Sequence, residues 1–248
     1  MTFDDAKQRF SNRVADYLRY RPGYPSGVVQ LLREECGLRP EHAIADIGSG
    51  TGLLCKLFLD CGNSVFGVEP NSEMRAAGEV FLEQYAIFRS VSGSAEATTL
   101  AAHSVEFVTA GQAFHWFQPV AARAEFQRIL KPGGWAVIAW NDRRMDETPF
   151  SREYEALLTR FGTDYKSVRD AYPEAQTIRD FLNDGRLGSR DLPNHQIFDW
   201  EGLCGRLRSS SYAPMMEELQ RLFSANERDG RVRMDYFTRV YFGQFDRI

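Results

Sequence analysis

A short apolar run, Ala43 to Ile47, opens directly onto a turn with glycine at every second position: Gly48, Gly50 and Gly52. An amphipathic stretch from Leu53 to Asp60 follows at once. Glycine lets a chain turn tightly and lets its backbone approach another group closely. A strand, a glycine turn and a helix in that order are the opening unit of an open α/β sheet, whose ligands bind outside the carboxyl ends of the strands.

The same rhythm continues along the chain. Ser64 to Val68 reads as a strand, Asn71 to Tyr85 as a helix and Ile87 to Val91 as a third strand. Val105 to Ala110, a helix from about Val120 to Leu130, and Trp135 to Trp140 complete the series, with Lys131-Pro132-Gly133-Gly134 as a turn. Short apolar strands alternating with helices imply a parallel sheet covered on both faces. Ahead of this series, residues 4 to 20 read as a helix broken at Arg21-Pro22-Gly23-Tyr24-Pro25, and Ser26 is expected to cap a helix that Gly37 stops.

After Asn141 the rhythm changes. Phe150, Tyr154, Leu157, Leu158 and Phe161 mark an amphipathic helix, and Met215, Met216, Leu219, Leu222 and Phe223 another. Residues 163 to 193 are polar and loop-rich, their structure left open, and His195 to Trp200 reads as a strand. Val232 to Val240 alternates strictly, which predicts a strand. Two late strands would add an antiparallel edge to the sheet.

The spacing discriminates between ligands. A dinucleotide turn wants G-x-G-x-x-G, but its third glycine position holds Leu53, and no Walker lysine follows Thr51-Gly52. A phosphate-bearing ligand such as a nicotinamide dinucleotide is therefore disfavoured. Glu69, closing the next strand, is an acid that can accept both hydroxyls of a ribose. A bare structural turn is the alternative reading, though such turns seldom need three glycines.

Composition excludes several other classes. The 34 acidic and 30 basic residues give a net charge of −4, so no nucleic-acid footprint stands out. The four cysteines, Cys36, Cys55, Cys61 and Cys204, form no CxxC pair and no zinc spacing, so no metal is expected. Met1 to Phe10 lacks an apolar core, so no signal peptide is expected, and no apolar run has the length of a membrane helix. A cytoplasmic protein without a membrane partner is the expectation, its oligomeric state left open.

With these residues in view, the chain resembles the class I S-adenosylmethionine-dependent methyltransferases. Asp46-x-Gly48-x-Gly50-x-Gly52 is similar to their first motif, and Glu69-Pro70-Asn71-Ser72-x-Met74 to their second. Gly93-Ser94-Ala95-Glu96 resembles the adenine-contacting turn, with Ser94 where an aspartate is usual, and Leu130 to Gly134 resembles the turn before strand five. A narrower likeness, to the trans-aconitate methyltransferase-like small-molecule branch, rests on Tyr20 to Pro25, Gly111 to Phe117, Ser210-Ser211-Tyr212 and Tyr236 to Tyr241.

The resemblance implies a single Rossmann-like α/β domain over residues 1–248: a seven-stranded, mostly parallel sheet with an antiparallel edge and helices on both faces. Residues 1–40 would form a helical lid, 41–141 the cofactor core and 142–248 the substrate-side helices and last two strands. It implies S-adenosyl-L-methionine as cofactor, held by Asp46, Gly48, Ser49, Gly50, Gly52, Glu69, Pro70, Met74, Ser94, Ala95, Glu96 and Gln112. Gly48 and Gly50 would pack on the methionine moiety, Met74 along the adenine, and the Ala95 amide on an adenine nitrogen.

The methyl would pass to a small organic molecule, such as a carboxylic acid, by in-line displacement, which asks mainly for orientation. Tyr17, Arg21, Tyr24, Phe114, His115 and Trp116 are the candidate substrate residues, with Gln112 and Phe117 also facing the methyl. Arg21 can fork onto a carboxylate. His115 is the candidate catalytic group, as a base or as a positioning wall. A carboxylate is already deprotonated, which favours the wall. Arg143, Arg144, Arg206 and Arg208 read as surface charges. A non-catalytic nucleoside binder and a nicotinamide-dependent oxidoreductase are the alternatives.

Overall fold

The fold is that of a computed structural model, whose described residues are 19–162, 165, 174–182, 186–208 and 215–245. The expected helix over residues 4–20 lies outside them except at its end. So do Tyr17 and the Ser210-Ser211-Tyr212 segment.

Seven strands form one sheet in the order β3-β2-β1-β4-β5-β7-β6. Strands β1 (Ala43–Ile47), β2 (Ser64–Val68), β3 (Phe88–Val91), β4 (Val105–Gly111) and β5 (Leu130–Arg143) run parallel. Strand β7 (Val232–Gly243) lies antiparallel between β5 and the edge strand β6 (Leu187–Phe198). The helices are α1 (Gly27–Cys36), α2 (Leu53–Leu59), α3 (Ser72–Phe81), α4 (Pro119–Ile129), α5 (Pro149–Phe161), α6 (Ala175–Leu182), α7 (Trp200–Arg208) and α8 (Met216–Asn226).

From β1 the chain winds outward through β2 and β3; from β4 it winds the other way through β5. The connections diverge between β1 and β4, and a crevice opens there beyond the strand ends. Two apolar clusters fill the space around the sheet. One includes Phe126, Ile138, Phe181 and Leu182; the other includes Leu32, Ile44, Phe58 and Phe107. A third packs α5, α7 and α8 against the first half of β7, through Tyr154, Leu203, Leu219 and Tyr236.

Local chemistry sets the helix ends. Asn71 Oδ1 accepts from the Glu73 and Met74 amides, both at 3.0 Å, and so starts α3. Thr148 and Ser151 form a capping box ahead of α5, with Pro149 in its first turn. Gly37, at φ 67°, ends α1, and the Leu38 amide donates to the Leu32 carbonyl. Ser26 stands at the expected cap position but makes no side-chain cap hydrogen bond.

The stretch 163 to 193, left open by the sequence, holds α6 and the first half of β6. Two expectations are corrected. Strand β6 therefore starts at Leu187 rather than His195 and ends at Phe198, with Trp200 already opening α7. Its polarity misled the reading, because an edge strand shows water much of its side-chain surface. Strand β5 also begins earlier, at Leu130, with a register irregularity opposite Val105 and Phe107 instead of a clean turn at Lys131 to Gly134.

Candidate functional site

The crevice is built from the glycine turn. Gly48, Gly50 and Gly52 all have positive φ, at 67°, 57° and 86°. The amides of Gly48 and Ser49 donate to the Val68 carbonyl at 2.8 and 3.1 Å, which fastens the turn to the end of β2. A Cβ on Gly48 would stand 2.6 Å from Ala113 Cβ, so the turn and the segment after β4 are in direct contact. The Met74 methyl lies 3.3 Å from where a Gly50 Cβ would be. Gly52 has a different job: its missing side chain leaves room for Leu82, 2.6 Å away, in the core.

Glu69 closes β2 and faces the turn. Its Oε2 accepts from the Gly50 amide and its Oε1 from the Asn71 amide, both at 2.9 Å. Burial raises the Glu69 pKa, and the two amides work against that. A carboxylate offers about four lone-pair positions, so two amides leave each oxygen able to accept once more. Arg75 donates to the Glu69 carbonyl and holds the strand end to α3. Pro70 follows, half-buried, between Glu69 and the Asn71 cap.

Asp46 is buried and turned inward. Its carboxylate accepts from Thr109 Oγ1 at 2.9 Å and Cys55 Sγ at 3.2 Å, so it ties β1 to β4 and α2 below the crevice. Burial pushes its pKa up to about 7. Beyond β3, Ser94 and Ala97 exchange backbone hydrogen bonds at 3.1 and 3.2 Å, with Ala95 buried between them. Glu96 accepts from the Gln118 amide ahead of α4, so its carboxylate braces that helix. Glu125 holds Thr98 from beneath; its hydrogen bonds with Arg128 lead in lowering its pKa to about 2.

The segment after β4 departs from expectation. Gln112 does not simply face the crevice: at φ 56° it clasps the Asn141 backbone, accepting its amide at 3.1 Å and donating to its carbonyl at 3.4 Å. Phe114 is buried and packs edge-on to Phe181 at 4.9 Å. His115 lies against Trp116 and Trp140, with ring centroids 4.5 and 5.3 Å apart, and burial lowers its pKa to about 4. Phe117 packs edge-on to Phe126.

Tyr24 fits against Gly111 so closely that a Cβ there would meet its hydroxyl. Asn141, which sequence reading missed, fixes this arrangement. Its Nδ2 donates to the carbonyls of Pro22 and Gly23 at 3.3 and 3.2 Å. Its Oδ1 accepts from Thr238 at 2.5 Å and Asn194 at 3.1 Å. A lone asparagine at a strand end reads as a turn residue, so no signal in the sequence marks it. Asn141→Ala would remove bonds to the buried Pro22 carbonyl and Thr238 hydroxyl, and a loss of about 2–4 kcal/mol is expected in urea denaturation. An unchanged midpoint would show that the hub bears little of the fold.

Gly78 is a second residue the sequence did not mark. A Cβ on it would lie 3.3 Å from the Gly50 carbonyl, so α3 approaches the turn backbone to backbone. Among the described residues, no group of three or more His, Cys, Asp or Glu side chains is arranged to hold a metal. Nor is any described helix long and apolar enough to cross a membrane.

Comparisons with known proteins find methyltransferases. A sequence family described as a methyltransferase domain matches residues 45–138. An uncharacterized methyltransferase of Mycobacterium tuberculosis strain H37Rv is 32% identical over 166 residues, 67% of this chain; the match spans 64% of that relative's length. Among solved structures, a putative type II methyltransferase from Anaeromyxobacter dehalogenans aligns at a TM-score of 0.65 and 20% identity, covering 91% of this chain and 98% of that one. A Haemonchus contortus phosphoethanolamine N-methyltransferase in complex with S-adenosyl-L-methionine aligns at a TM-score of 0.57 and 13% identity, covering 96% and 57%. At these identities the two structures establish a shared fold.

Proposed function

We propose, from the premise that residues 45–138 are a methyltransferase domain whose cofactor is S-adenosyl-L-methionine, that this chain transfers a methyl group to a small organic molecule. A carboxylic acid is the acceptor that the likeness to the trans-aconitate branch favours. The observation that carries the reading is the pairing of Glu69 with Gly50 in a turn whose three glycines all have positive φ.

The residues present suit that cofactor. Glu69 retains acceptor capacity for a ribose diol. Thr51 Oγ1, buried in the same turn, has no hydrogen-bond partner among the described residues, as expected of a turn completed by a polar occupant. Gly48 and Gly50 would hold the methionine portion, while Met74, Ser94 and Ala95 would border the adenine.

When bound, the cofactor supplies a methyl group on a positive sulfonium, open to direct displacement by a nucleophile. The chain's work is to orient the acceptor, which can account for several kcal/mol of a barrier. The clasp between Gln112 and Asn141 holds the segment bearing His115, and Tyr24 closes over Gly111. His115 suits a wall better than a base, since burial keeps its imidazole neutral and weakly basic.

Calorimetry with S-adenosylhomocysteine tests the assignment, and absence of binding at about millimolar ligand would overturn it. A pH consequence follows for His115. With its folded pKa near 4 and its ordinary value 6.5, its burial favours the fold fully above pH 6.5. That contribution drains away as pH falls from 6.5 toward 4. His115→Phe is expected to flatten this part of the stability profile in urea titrations; an unaltered profile would assign the acid sensitivity elsewhere.

A further inference from the structure

The segment from Tyr20 to Tyr24 runs from β6 past β5 to the end of β4, and residues 22–25 belong to no helix or strand. Its carbonyls are met by side-chain amides of the sheet. Gln196 Nε2 donates to the Tyr20 carbonyl at 3.2 Å, and Asn194 Nδ2 to the Gly23 carbonyl at 2.8 Å. Asn141 Nδ2 reaches the Pro22 and Gly23 carbonyls. The amides are themselves tied together: Asn194 donates to Asn141 Oδ1 at 3.1 Å, and Gln196 Oε1 accepts from the buried Tyr236 hydroxyl at 2.9 Å. Strands β5, β6 and β7 thus grip the segment jointly.

The residue types suit the task. A carboxamide offers two donors and an acceptor without a charge, so it can hold a carbonyl and a neighbour at once. Arg143 and Arg206, expected at the surface, are instead largely enclosed, yet these carbonyls are met by neutral amides.

The far end of the segment reaches the crevice. A Cβ on Gly111 would overlap the Tyr24 hydroxyl and stand 3.0 Å from Leu54 Cδ2. Gly111 ends β4, and Leu54 follows Gly52 by two residues in α2. Tyr24 therefore meets both the strand and the helix that border the crevice, and the absence of a side chain at 111 is what admits its phenol. Gln112, next along the chain, clasps the Asn141 backbone. The segment that carries Tyr24 and the backbone against which Tyr24 rests share one anchor.

We propose, resting on the methyltransferase reading, that Asn141, Asn194 and Gln196 are positioning residues for the cofactor crevice and that they act through Tyr24. The crevice is laid down by the first half of the chain, but its Tyr24 wall is held in place by amides of which two belong to the edge strand β6. Loosening that edge strand should loosen the bound cofactor.

The test uses the full chain. Calorimetry with S-adenosylhomocysteine comes first, and absence of binding overturns the methyltransferase reading and this role with it. Release of S-adenosylhomocysteine is then followed by surface plasmon resonance. Asn194→Asp keeps the side-chain shape but, when ionised, has no N–H to donate. It is expected to speed release by about tenfold and to raise amide hydrogen exchange over residues 20–24. Gly111→Ala displaces Tyr24 from the other side with every amide in place, and a similar gain in release rate is expected. Tyr24→Ala should also speed release, and in that background Asn194→Asp should add nothing further, because the amides act through the phenol. A merely structural role would lower the urea midpoint and leave the release rate unmoved. Parent-like release in both Asn194→Asp and Gly111→Ala, or additive effects of Asn194→Asp and Tyr24→Ala, would overturn the assignment and leave the methyltransferase reading standing.

Discussion

Replacing Gly48 by alanine is expected to destabilise the fold by about 2–5 kcal/mol and to abolish measurable S-adenosylhomocysteine binding. Two independent effects add. At φ 67° an L-residue meets its own backbone, which costs about 1–2 kcal/mol. The new Cβ would also stand 2.6 Å from Ala113 Cβ, and relieving such overpacking typically costs about 1–3 kcal/mol. The double change Gly48→Ala with Ala113→Gly separates the two. It should recover the packing part and retain the backbone part, so a mutant cycle by urea denaturation reads the contact directly. A single mutant as stable as the parent would mean that turn and segment are not pressed together.

Glu69→Ala should act on binding more than on folding. The carboxylate orders the turn through the Gly50 amide and, on the proposed reading, accepts from a ribose. A charge-assisted hydrogen bond contributes about 1.5–3 kcal/mol, so losing one to the ribose should lower S-adenosylhomocysteine affinity by roughly 10- to 150-fold. Glu69→Gln should lie between, keeping an acceptor but losing the charge. Because burial raises the Glu69 pKa, affinity in the parent should also weaken as pH drops toward it, and the alanine variant should lack that trend. Parent-like affinity in Glu69→Ala would dismiss the ribose role.

Much of this was legible from residue order alone. The parallel half of the sheet announces itself because its strands are short and mostly apolar and, β3 excepted, each is followed by a helix. The alternation in β7, with Val232, Met234, Tyr236 and Val240 buried, was equally plain. Strand β6 was not, because its outer side lacks a partner strand and its residues are largely polar. At the site, Gly48, Gly50 and Glu69 were visible through spacing. Asn141 and Gly78 were not, since their places arise from contacts between segments apart in the chain. A polar residue pattern does not reveal which side chains a fold will enclose. Nor does the motif around Phe114 show its packing against Phe181 and Phe117.

The position of β7 bears on how this chain emerges during synthesis. Its partner β5 is completed at Arg143, yet the residues that cover β5's outer edge begin only at Val232. Until they appear, a growing chain presents an open hydrogen-bonding edge beside a finished nucleotide half, and β6 has nothing to lie against. Such an interval favours stray pairing between neighbouring nascent chains, and it makes late truncation far more damaging than loss of an equal length of surface loop.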